Sequence, residues 1–225
     1  PTRKADHIMN SLDEIHWRRI EYKFTEELDN DFPGMSDLSI KLLNTNVDEN
    51  GEEIIEEMAN LFGYYLDLER HTGELSDLFD HDGTLADLIG LFELNTMTPA
   101  AELLDLFSDH PFDLVDSEIM IFITGFSIND ALRGMNIERL LIDKCEERFA
   151  NKPGLLVIDP GDGDFNPTGD TDFPKIYRRK SQLFTPAQLA QFELSFGLKF
   201  LKGEESPTAS RNNYLVRVLR NPYLS

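Results

Sequence analysis

Residues 117–158, SEIMIFITGFSINDALRGMNIERLLIDKCEERFANKPGLLVI, restrict the fold more than any other stretch of this chain. Ile119, Met120, Ile121, Phe122 and Ile123 are apolar at both alternating sets of positions, the pattern of a central strand covered on both faces. A polar turn containing Arg133 and Gly134 follows. Ile137, Leu140, Leu141, Cys145 and Phe149 then fall on one helical stripe, with Glu138, Asp143, Glu146 and Glu147 elsewhere. Lys152, Pro153 and Gly154 end that helix, and Leu155, Leu156, Val157 and Ile158 read as a second buried strand. The unit is strand, Gly-containing turn, helix, strand. A turn of that kind at a helix N-terminus is a place where proteins hold phosphates.

The rest of the chain adds an antiparallel part before this unit and a short closing part after it. A short helix is expected near 7–19, passing into a strand near 20–25, with Asp31, Phe32, Pro33 and Gly34 as a turn. Leu38, Ile40 and Leu42 alternate, so 37–44 is a strand. Asn50-Gly51 favours a tight reversal, and residues 58–69 return as an aromatic-rich strand with Leu61 and Tyr65 on one face. Glu-Glu-Ile-Ile-Glu-Glu at 52–57 suits a helical turn as well. Residues 70–116 read as an insertion of helices and loops. In it Leu75, Leu78, Phe79, Leu85, Leu88, Ile89, Leu91 and Phe92 recur at helical spacing, as do Leu103, Leu104, Leu106 and Phe107, and Pro99 suits the start of the second of these helices. Residues 159–172 are dominated by Gly, Pro and Asp. A calcium loop starting at Asp162 fails, because Pro167 stands where a Gly is needed and Phe173 where a bidentate Glu belongs. Thr185, Pro186 and Gln188 form a capping pattern. Their helix runs through Leu189, Phe192 and Phe196 to Gly197, with strands expected at 198–201 and 213–219.

Charge bears on partners. The net charge is −21, and residues 1–172 hold 12 Lys/Arg against 39 Asp/Glu, while 173–225 hold 9 against 3. Such a surface repels nucleic acid, whose binding depends on neutralising phosphates, and attracts basic partners. No apolar run reaches the length of a membrane helix. Residues 1–7 show no apolar region behind their basic residues, so a signal peptide is not expected. The single Cys145 excludes an internal disulfide. A reducing, cytoplasmic setting fits, with the thiol buried and inert.

The element order from residue 37 resembles the GCN5-related N-acetyltransferase family. Three stretches carry the likeness: the strand with Leu132-Arg133-Gly134 and the following helix, Lys152-Pro153-Gly154-Leu155-Leu156-Val157-Ile158, and the closing helix with Leu189-Ala190-Gln191-Phe192-Glu193-Leu194-Ser195-Phe196-Gly197-Leu198. The resemblance implies a single α+β domain over 1–225. Its core at 37–219 would be a mixed, mostly antiparallel sheet flanked by helices, with residues 1–36 as an N-terminal extension and 70–116 as a helical insertion. It also implies acetyl-CoA as cofactor, no metal, and a basic amine as acceptor. The family's splayed strand exposes backbone to the pantetheine arm, and its turn wraps the pyrophosphate. Carried over, these functions fall on Ile123, Thr124, Arg133, Gly134, Met135, Asn136 and Ile137. Asn136 and Glu138 stand where the family pattern has small residues, and Glu193 stands where many members have an acidic Tyr. Glu69 and Asp67, with His71 and His81 in the following loop, are further candidates for acid–base work beside Glu193. These departures leave a second reading open: a catalytically degenerate binding protein whose acidic surface engages a basic protein partner, with imitation of nucleic-acid charge as one form of that engagement.

Overall fold

The computed structural model describes residues 20–28 (by backbone alone), 34–69, 85, 87–93, 98–109, 117–132, 135–149, 151–159, 186–202 and 214–219. Its strands are β1 (Ile20–Leu28), β2 (Met35–Val47), β3 (Glu53–Asp67), β4 (Ile119–Ile128), β5 (Gly154–Ile158), β6 (Lys199–Leu201) and β7 (Tyr214–Leu219). Its helices are α1 (Ala101–Leu106), α2 (Ile137–Phe149) and α3 (Pro186–Phe196), with 3-10 turns at Asp87–Leu91 and Asp130–Leu132. The fold is α+β. One sheet runs in the order β1-β2-β3-β4-β5-β7-β6. Among the described strands, only β4 and β5 pair in parallel, joined by α2 as the crossover that parallel strands require; every other described neighbour is antiparallel.

Apolar alternation produces this sheet as expected. Leu38, Ile40 and Leu42 of β2 are buried, and so are Leu61 and Tyr65 of β3. They share one cluster with Ile137, Leu141, Ile142 and Cys145 of α2 and with Phe196 at the end of α3. Met120 and Phe122 of β4 and Leu155 and Val157 of β5 point the other way. There they pack with Leu85, Leu88, Leu91, Leu103 and Phe107, so the described part of the insertion covers the second face. Lys199 of β6 ties that cover down: its Nζ donates to the Leu106 carbonyl at 2.9 Å and lies 4.9 Å from the Phe107 ring centroid. A cation at a helix C-terminus complements its orphan carbonyls.

Several boundaries differ from the sequence reading. β3 begins at Glu53, so 53–57 is strand and not a helical turn. Asp48 decides this. Its Oδ1 accepts from the Asn50 and Glu52 amides at 2.9 and 2.8 Å, closing a reversal that pairs 53–57 with β2 and overrides helical propensity. Pro99 does not start a helix; it bridges to Phe92, Ala100 is the extended N-cap, and α1 starts at Ala101. Pro186 does open α3, and Gly197 closes it at φ +65° with its amide on the Glu193 carbonyl at 2.9 Å. The expected helix at 7–19, residues 75–79, the 160–172 loop and Thr185 lie outside the described residues.

Candidate functional site

β4 carries the feature around which the site forms. Phe62 pairs with Gly125 and Gly63 with Ile123, which leaves Thr124 as an extra residue, a β-bulge. The bulge reverses the parity of the strand. Ile119, Ile121 and Ile123 face α2 before it, and Phe126 and Ile128 face α2 after it. Thr124 Oγ1 donates to the Phe62 carbonyl at 3.3 Å across the bulge.

β4 and β5 part at the same place. Their parallel register runs from Ile119 opposite Gly154 to Ile123 opposite Ile158, and the Asp159 amide closes it on the Ile123 carbonyl at 2.9 Å. Beyond that point β4 continues to Ile128 beside β3, while β5 has ended. Among the described residues, no strand pairs with 124–128 on the side that β5 has left.

The chain from β4 into α2 turns beside this opening. Asn129 takes the Met58 carbonyl with its amide at 2.9 Å and accepts the Ala131 amide on Oδ1 at 3.0 Å, an Asx turn that starts the 3-10 turn. Asn136 then adopts φ +55°, and its carbonyl accepts the Leu140 amide at 3.3 Å, making it the N-cap of α2. Asn tolerates the left-handed region better than other non-glycine residues. At the position where the family pattern has glycine, Asn136 thus adopts a glycine-like backbone. Asn136→Gly is therefore expected to leave stability nearly unchanged, and Asn136→Ala to cost about 1 kcal/mol; urea midpoints of the two variants check this.

Glu138 requires a correction. It was placed off the apolar stripe, yet it is 4% exposed in the first turn of α2. The buried set is Ile137, Glu138, Leu141, Ile142 and Cys145, whereas Leu140 and Phe149 are only partly buried. A stripe drawn through Ile142 and Cys145 passes through Glu138, four residues before the first and seven before the second. That signal was present in the sequence. A carboxylate there is favoured by the helix dipole, and the side chain occupies the place where the family pattern would bring a pyrophosphate. Asp159, the first residue of the stretch dominated by Gly, Pro and Asp, is also buried, at the mouth of the opening.

The remaining predicted residues scatter. Ile123 and Ile137 are fully buried core side chains, so only their backbone faces the opening; Met135 packs on the core edge. Glu193 is exposed on α3 and Glu69 is exposed beyond β3. Asp67 is buried, opposite Ile119 at the far end of β4, about 17 Å along the strand from the bulge at 3.4 Å per residue. It pairs there with Lys152 at 3.1 Å. Burial pulls the Lys152 ammonium down, but its bonds to Asp67 and to the Tyr65 hydroxyl outweigh this and raise it overall. This cluster is structural: Tyr65 stacks on Phe149 at 4.7 Å and anchors the end of α2. Arg133, Gly134, His71 and His81 lie outside the described residues. Among the described residues no group of three or more His, Cys, Asp or Glu is placed to hold a metal, and no helix is long and apolar enough to cross a membrane.

Cys145 is buried on α2, where burial pushes its thiol up from 9.0 to about 12, against a smaller downward pull from Arg217. In the unfolded chain the thiol ionises near 9.0, so above that pH the unfolded state binds fewer protons than the native one. Stability is expected to fall with rising pH between 9 and about 12, by about 1.4 kcal/mol per unit from this group. Below pH 9 both states keep the proton and the contribution is flat. Denaturant titrations of the native chain and of Cys145→Ala, run at pH 8 to 11, check the difference in slope.

Comparison with family models, with curated proteins and with solved structures finds no match to this chain.

Proposed function

We propose that this chain is an acetyltransferase-like protein that takes an acyl-CoA in the opening between β4 and β5 and acylates a basic amine. One coincidence supports the reading: the bulge at Thr124 and the parting of the strands after Ile123 fall at the same place in β4, and from there the strand runs on through a 3-10 turn toward α2. In the resembling family a splayed strand at such a place offers backbone groups to a pantetheine arm. Here the backbone of 124–128 has that placement, and Asn136 has the backbone form a phosphate turn requires. A coenzyme bound there would supply an activated acyl group. This chain would hold the arm along β4 and direct the first amides of α2 at the phosphates. An acidic surface would concentrate a cationic acceptor.

A second reading has its own support. Glu138 stands buried at the helix start where the family pattern has a small residue, and Glu193, at the position of the family's general-acid Tyr, is exposed to water. On this reading the chain is a binding protein on the same scaffold, engaging a basic protein partner. Calorimetric titration with acetyl-CoA and with CoA separates the two. Micromolar binding, weakened at least tenfold by Arg133→Glu and strengthened by Asn136→Gly with Glu138→Gly, supports the enzyme reading. A folded protein that takes up neither ligand leaves the partner-binding reading.

A further inference from the structure

β2 and β3 are longer than their neighbours. β1 reaches β2 only as far as Asn44, and β4 reaches β3 only as far as Ala59. Past those points, 45–47 and 53–57 continue as a two-stranded arm. Its root is marked by a second bulge, at Met58, where Leu42 pairs with Ala59 and Leu43 with Glu57. The arm is pre-shaped. The Asp48 carboxylate holds the tip through two backbone amides and the Asn50 side chain, and Gly51 takes φ +85°. The bond from the Glu52 amide, ahead of the other hydrogen bonds in the turn, keeps that carboxyl below its usual range, so it stays charged.

The surface of the arm is unusual for a strand edge. Ile54 and Ile55 are 53% and 62% exposed and Val47 is 41% exposed. Period-2 alternation places the two isoleucines on opposite faces, so neither face has an apolar cover. Around them stand Asp48, Glu49, Glu52, Glu53, Glu56 and Glu57, with no Lys or Arg between 45 and 57. Among the described residues, Glu57 alone is balanced, by Lys41 at 2.7 Å. The side of β3 that faces β4 elsewhere is unpaired by any described strand over 53–57, roughly 17 Å of edge. Natural edges are kept short or charged to prevent such pairing. This one combines open backbone with exposed isoleucine.

We propose that the β2–β3 arm docks an extended segment of a partner protein, rich in Lys or Arg alternating with apolar residues, which adds as a strand along 53–57. The chemistry selects that occupant. Main-chain bonds come from the edge, and alternation sorts the rest: apolar side chains that meet Ile54 leave the cations on the face of Glu53, and apolar side chains that meet Ile55 leave them on the face of Glu56. A second copy of this chain is disfavoured, because pairing two arms sets like charges against each other. The pre-formed turn lowers the ordering cost of docking. The inference takes from the partner-binding reading above only its basic protein partner, names the surface that engages it, and is tested separately from coenzyme uptake in the β4–β5 opening.

The test uses the full chain and a fluorescein-labelled octapeptide of alternating Lys and Val, read by anisotropy. The expected result is saturable binding that weakens at least about tenfold in Glu53→Lys with Glu56→Lys, and as much for a peptide of equal charge with Pro in place of Val. Hydrogen exchange at 53–57 is expected to slow when the peptide is added. Circular dichroism of the variants, whose altered side chains are exposed, controls for folding. Equal affinity for the proline peptide overturns strand addition. Binding that survives the double reversal places the basic partner elsewhere on the chain and overturns the arm as its site. Absence of binding, or sedimentation as a dimer through the arm, overturns the proposal as well.

Discussion

Gly63→Ala is expected to destabilise the chain by about 3 kcal/mol and to lower Tm by about 6–12 °C. A Cβ on residue 63 would run into the carbonyl oxygen of Phe122 and lie 2.9 Å from the Ile123 Cα. Both obstacles are backbone of a central strand, which has no rotamer to yield. The close approach follows from the bulge: Thr124 is looped out of register, and β3 and β4 draw together immediately before it. Relief therefore requires shifting β4 itself, at the point where it parts from β5. The same substitution should alter ligand uptake in the opening more than its stability cost explains. Denaturant midpoints give the stability. Calorimetry below the unfolding transition gives the second effect, and a variant as stable as the parent would show that the two strands are not held this close.

Arg217→Ala is expected to cost about 2–3 kcal/mol. Arg217 of β7 is about one-fifth exposed; it donates to the Phe196 carbonyl at the end of α3 and pairs with Glu146 of α2. Burial lowers its pKa from the usual value, opposed in part by the charge of Asp143. Arg139 acts beside it, donating to the Ser195 carbonyl and lying 5.9 Å from the Phe196 ring centroid. Two arginines thus satisfy the terminal carbonyls of α3 and hold it against α2. Removing Arg217 leaves Glu146 half-buried without its cation. Adding Glu146→Gln should then recover part of the loss, because the uncompensated charge is gone. Arg217→Lys should recover little, since one ammonium cannot span both acceptors as the planar fork does. Urea titration of these three variants and of Glu146→Gln alone measures the coupling; strict additivity would show that the pair does not act as a unit.

What could be read in advance was whatever depends on local period. The β4–α2–β5 unit, the β2–β3 hairpin, α3 with Gly197 and the last strand were legible because apolar residues repeat at 2 or 3.6 and turn residues mark their ends. The α+β class with a mixed, mostly antiparallel sheet was implied by the family that their order resembles. The sequence alone also determined the charge and the solitary cysteine on an apolar stripe. Tertiary structure decided the rest. Which carboxylates are buried depends on what covers them: Glu138 lay on a stripe with Ile142 and Cys145 that the sequence did carry, whereas Asp159 was not distinguishable from the acidic residues around it. Asn136 interrupted a small-residue pattern on paper, yet its left-handed backbone serves the same turn. The bulges at Thr124 and Met58 are properties of two strands in register, and neither strand carries them alone. They set where β4 leaves β5 and where the hairpin outruns the sheet. Both candidate surfaces sit at those two places, because a sheet exposes usable backbone only where pairing stops.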